Sequence, residues 1–215
     1  MFLSLPYLLV TILFFATVCM HGTRKNAALV FLYALQSTAV ALLLAHGAIA
    51  DHSAIILAVA VFAFIVKVML APNFFERLIR KHRITFSART YLGLPLTAIV
   101  VAVLVILPSL HAFAPLTAIA PAHTAETSLA LAAFFISCFF VTNRQGGISQ
   151  MIGLLSIENS IVAFALFAGL EQSAMLQIGI MFDIALWVII ATLLASLAYE
   201  QFGTLDTGSM KHLTE

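Results

Sequence analysis

The chain has 215 residues, 63% of them hydrophobic and 9% charged, with a mean hydropathy of +1.12, which excludes an ordinary soluble domain and reads as an integral membrane protein. A formal net charge of +1, from 10 Lys+Arg against 9 Asp+Glu, gives no sign of a nucleic-acid partner; the expected surroundings are a lipid bilayer. Cys19 and Cys138 both fall inside apolar runs and read as small buried or lipid-facing residues rather than as a disulfide or metal pair.

In chain order, seven apolar segments approach the ~20 residues that ~30 Å of hydrocarbon requires: 2–20, 27–49, 53–73, 91–112, 127–143, 148–170 and 176–198. The expected fold is therefore all-α and multi-pass, with about seven transmembrane helices. The first segment has its basic residues, Arg24 and Lys25, behind it rather than in front, so it is expected to be a retained helix and not a cleaved signal. Gly146 and Gly147 just before the sixth segment predict a tight turn and an antiparallel hairpin of segments five and six. Pro95 inside the fourth segment is a candidate kink.

Orientation follows from the basic residues, because cytoplasmic loops carry the Lys/Arg excess. Arg24, Lys25, Arg77, Arg80, Lys81, Arg83, Arg89, Arg144 and Lys211 all fall on one side of a seven-span chain. The N-terminus is then expected outside and the C-terminus in the cytoplasm. The chain divides into a four-helix part (1–112), an outer loop (113–126), a three-helix part (127–198) and a cytoplasmic tail (199–215).

Three ionisable side chains lie well inside apolar segments: Lys67, Glu158 and Asp183. A charge at the bilayer centre costs roughly 2.5–3.5 kcal/mol on insertion scales, so each demands a partner or a function. Glu158 stands near the middle of segment six, ten residues from either surface, with Asn159 beside it and Gln150 two turns earlier. It is expected to face protein or water and to act as a protonatable group, although a neutral carboxyl hydrogen-bonded between helices would also satisfy the sequence. Lys67, about six residues from the end of its segment and hence about 9 Å deep, is open to snorkelling, to a structural ion pair and to a proton relay. Asp183 is open to a proton-pathway role or to that of a polar anchor. The expected proton-pathway set is Glu158, Asp183 and Lys67, with Asn159 and Gln150 as supporting polar groups. Nucleophile elbows, phosphate loops, CxxC pairs and mid-span histidine pairs do not occur, so no catalytic residue, cofactor or metal site is expected.

Segments five to seven resemble the three-helix NuoK/MrpC type of subunit of respiratory complex I and multisubunit cation/proton antiporters. The likeness rests on Ile152-Gly153-Leu154, Asn159 and the acidic residue of the last segment, Asp183; it departs from that pattern in having Leu155 after Ile-Gly-Leu, with the carboxylate three residues later at Glu158. The whole chain is similar to the hydrogenase-4 component E family (HyfE) of formate hydrogenlyase-like complexes. That similarity is carried by the run from Phe64 to Pro72 around Lys67, by Glu158-Asn159 and by Gly203-Thr204-Leu205-Asp206. The resemblance implies a non-catalytic membrane subunit of a NiFe hydrogenase or complex-I-like oxidoreductase in the cell inner membrane. Its implied partners are antiporter-like and NuoH-like membrane subunits and peripheral NiFe hydrogenase and iron–sulfur subunits, and its implied task is proton translocation. A structural scaffold in a Mrp-type antiporter-like complex and a small independent ion transporter are the alternatives.

Overall fold

The computed structural model describes residues 4–83, 86, 89–169, 189, 196 and 199. Among them every regular element is helical. Helix α1 (Leu5–Gly22) starts at Ser4, whose hydroxyl accepts a hydrogen bond from the Tyr7 amide, and carries Pro6 in its first turn, where a missing N–H costs nothing. Helix α2 (Asn26–Ala50) is 25 residues long, about 37 Å at 1.5 Å per residue. After a turn with His52 in the left-handed region (φ 52°), α3 (Ala54–Ala63) leads through a π-helical segment (Phe64–Leu70) into α4 (Ala71–His82). Helix α5 (Leu94–Ile106) follows, then short helical turns with α6 (Ala114–Thr117), and finally α7 (Thr124–Asn143) and α8 (Gly147–Phe167).

Among the described residues five helices are long and apolar enough to cross a membrane, and six if the pair Leu94–Ser109 and His111–Thr117, bent by 55°, makes one span. Apart from residues 189, 196 and 199, the expected seventh segment, with Asp183, and the tail lie outside the described residues. The outer faces of the described helices carry exposed Phe15, Phe31, Ile49, Ile55, Val61, Ile65 and Ile99, a distribution suited to lipid rather than water.

Two expectations about prolines and span ends change. Pro95 does not kink a helix: it sits in the first turn of α5 behind Gly93, and the bend comes at residues 107–113 instead. The third span does not stop near residue 73, because its helix runs unbroken for 29 residues to His82. Pro72 explains the π-helical stretch before it. A proline ring clashes with the carbonyl four residues back and offers it no N–H; just ahead of Pro72 the ladder has widened, with the Ala71 amide bonding the Val66 carbonyl five residues back.

The α7–α8 hairpin forms as expected, and Gly153 is what lets it close. A Cβ there would stand 2.6 Å from Val141 Cγ2 and 2.9 Å from Phe140 Cδ1. Around it α1 packs on α2 and α7, α2 packs on α3, α4 and α8, and α5 covers α7. Helices from both sides of the 113–126 loop thus share one bundle.

Its interior is layered. One apolar cluster joins Leu13, Val40, Leu43, Ala63, Ile136 and Ala163; a second joins Met20, Tyr33, Ala71, Phe75, Phe140 and Ile152. Each of the five long helices places buried polar residues between these two clusters: Thr17, Gln36 and Ser37, Lys67, Ser137, and Ser156 and Asn159. A polar layer therefore crosses the middle of the bundle between two dry ones.

Candidate functional site

The polar layer is a connected hydrogen-bond network. Lys67, 1% exposed on the π-helical segment, pairs its ammonium with the Glu158 carboxylate and donates to Asn159 Oδ1 at 2.9 Å. Asn159 in turn donates from Nδ2 to Gln36 Oε1 at 3.3 Å and to Ser37 Oγ at 2.9 Å. Gln36 Nε2 donates to Thr17 Oγ1 at 2.6 Å and to Ser156 Oγ at 2.9 Å, and Ser156 shares a hydrogen bond with Ser137 at 2.8 Å. Five spans meet in this one cluster.

Of the three readings open for Lys67, snorkelling is not what the side chain does: it makes an ion pair. Its helix continues for about four more turns past it, and its ammonium points inward to α8. Glu158 has its expected polar neighbour. One carboxylate oxygen holds Lys67, while Oε1 is buried with no hydrogen-bond partner among the described residues. The side chain is 19% exposed and lies on the outer stripe of α8 between the exposed Leu154 and Ile161. The Tyr33 hydroxyl, buried beside Ser37 and in the field of Glu158, makes no hydrogen bond of normal geometry among the described residues.

Of the residues singled out from sequence, Lys67, Glu158 and Asn159 come together. Gln150 does not join them: its amide donates to the Arg144 carbonyl at 2.8 Å, in the α7–α8 turn. Asp183 falls outside the described residues. Residues that sequence reasoning passed over are Thr17, Gln36, Ser37, Ser137 and Ser156. Their signal was depth, since each stands near the middle of its own span, and neutral polar residues at one depth in an up-and-down bundle must meet.

A second buried cation was read only as a loop charge. Arg144 is 2% exposed, and its guanidinium donates to the carbonyls of Met20 (2.8 Å), His21 (3.3 Å) and Thr23 (2.7 Å), the unsatisfied end of α1. Its Cζ lies 4.9 Å from the centre of the Phe140 ring. Burial and the nearby Arg24 pull its pKa down to about 10, so it stays a cation at neutral pH and complements the negative end of the α1 dipole. The same turn ties down the chain before α5. Asn143 accepts from the Leu92 amide at 2.9 Å, Thr90 bridges Arg144, and Lys25 bridges Phe86. Arg24, Lys25, Arg89 and Arg144 consequently gather at one end of the bundle, with the basic last turns of α4.

Fold and site together define the class: a multi-helical, multi-pass membrane-type protein whose bundle encloses a mid-depth polar layer centred on a Lys–Glu pair. No family model, curated protein or solved structure matches the chain.

Proposed function

We propose that the chain is a non-catalytic membrane-arm subunit of a complex-I-like, membrane-bound hydrogenase of the hydrogenase-4/formate hydrogenlyase type, where it contributes protonatable groups to proton translocation and helps assemble the membrane arm. The observation that carries this reading is the Lys67–Glu158 pair, buried at mid-depth in a bundle otherwise built of apolar helices. A carboxylate and an ammonium in a low-dielectric interior interact strongly, so a charge arriving beside one changes the proton affinity of the other and can be handed on. Asp183, if the last segment is also a span, would supply a further station. The gathering of Arg24, Lys25, Arg89 and Arg144 at one end supports a cytoplasmic position for that end, with seven spans and the N-terminus outside. The partners on this reading are antiporter-like and NuoH-like subunits in the inner membrane and peripheral hydrogenase and iron–sulfur subunits.

Glu158→Gln in the assembled complex tests the reading. The amide keeps a hydrogen-bond acceptor for Lys67 but cannot change charge. The expected result is a complex that still assembles and loses coupled proton transfer, measured as acidification or alkalinisation of membrane vesicles during turnover. Normal coupling in that variant would defeat the proposal. A scaffold role is the second reading, favoured by a network that ties five spans together; loss of the complex from the membrane with intrinsic coupling unchanged in what remains would select it.

A further inference from the structure

The hydrogen bonds leading away from Lys67 all run in one direction. Lys67 donates to Asn159 Oδ1, Asn159 donates to Gln36 Oε1, Gln36 donates to Thr17 Oγ1, and the Thr17 hydroxyl donates to the Leu13 carbonyl at 2.8 Å. The two ends impose the same direction independently. A backbone carbonyl only accepts, so the Thr17 hydroxyl, committed to it, can only accept from Gln36. A lysine ammonium only donates, so it requires the oxygen and not the nitrogen of the Asn159 amide. Flipping either amide would set donor against donor at one end or the other. Both amide nitrogens are also fully used, since Asn159 donates a second time to Ser37 and Gln36 a second time to Ser156.

We infer that Gln36, Asn159 and Thr17 form a one-way hydrogen-bond line that fixes the Lys67 ammonium and is closed to proton transfer, leaving Glu158 as the group through which this site exchanges protons. The inference rests on the reading of the Lys67–Glu158 pair as a protonatable station, and it adds Gln36 and Thr17 as positioning residues. A line of water or hydroxyls relays a proton because each oxygen accepts one proton and releases another. An amide accepts at oxygen and donates from nitrogen, so passing a proton on would leave it in an unstable tautomer. The line also ends at a carbonyl with no proton to give. Cooperative polarisation along aligned donors strengthens each bond and stiffens the hold on Lys67. Beside the line, the buried Oε1 of Glu158 has no hydrogen-bond partner among the described residues, on a side chain that is 19% exposed.

Hydrogen exchange of side-chain protons tests this on the full chain in lipid nanodiscs, read by nitrogen-15 NMR with labelled Asn, Gln and Lys. The Gln36 and Asn159 amide protons should exchange at least about tenfold more slowly than the Lys67 ammonium protons. In Thr17→Val, which keeps the shape but removes the acceptor, exchange of the Gln36 amide should rise by about tenfold, while Thr17→Ser should match the unsubstituted chain. Amide protons exchanging as fast as the ammonium, or a Thr17→Val chain with unchanged exchange, would overturn the inference. These rates are read without partners or turnover, so their failure is distinct from a failure of Glu158→Gln to abolish coupling.

Discussion

Among the described residues Lys67 and Arg144 are both buried cations, and the molecule treats them differently. Lys67 lies at mid-depth against a carboxylate and an amide on α8, whereas Arg144 lies in the α7–α8 turn against three carbonyls at the end of α1. The partners of Arg144 among the described residues are backbone carbonyls, which cannot titrate, and these bonds hold helices together. Lys67 is matched by a group that can take or lose a proton, so the same degree of burial creates a place where charge can change. What a buried cation does is therefore read from its partner, not from its burial.

Substitutions can break that contrast, beginning with the largest effect. Lys67→Met should destabilise the bundle by about 3 kcal/mol, because it strands a partly buried carboxylate, and adding Glu158→Leu should recover most of the loss. Thermal unfolding in detergent measures both; a double variant no more stable than Lys67→Met would mean the two residues are not a coupled pair. Arg144→Ala acts on backbone carbonyls, which a second substitution cannot remove. It orphans three acceptors and should cost about 3 kcal/mol, with Arg144→Lys recovering only part, since an ammonium lacks the guanidinium fork. Gly153→Ala forces a methyl against Val141 and Phe140 and should cost about 1–3 kcal/mol in the same melt, without altering Lys67. Gln150→Leu should be mildest, at about 0.5–1.5 kcal/mol, and should leave coupled proton transfer at its original level. A coupling defect there would join Gln150 to the Glu158 site after all.

Much of this was legible in the chain itself. Glu158 and Asn159 announced a polar centre because nothing in lipid can satisfy them, and Gly146 and Gly147 announced the hairpin. Lys67 was harder. Reading Pro72 as the near end of a span placed the lysine within reach of an interface, whereas the helix passes through Pro72 by widening to π geometry and continues to His82. Gln150 was assigned to Glu158 by sequence spacing alone; on α8 it lies two turns nearer the turn, where the Arg144 carbonyl takes its amide.

By itself the sequence determined that the chain is helical and membrane-type, because runs of about 20 apolar residues leave the backbone no other way to satisfy its polar groups in lipid. It also determined that α8 carries an acid at mid-span. Only the tertiary structure decided which cation that acid meets and that Thr17, Gln36, Ser137 and Ser156 join in one layer. It alone decided that Arg144 is a helix cap rather than a surface charge. The physical reason is that hydrophobic periodicity specifies which residues avoid water, whereas a hydrogen bond between residues 120 positions apart, such as Gln36 to Ser156, exists only once helix packing has brought them within 3 Å.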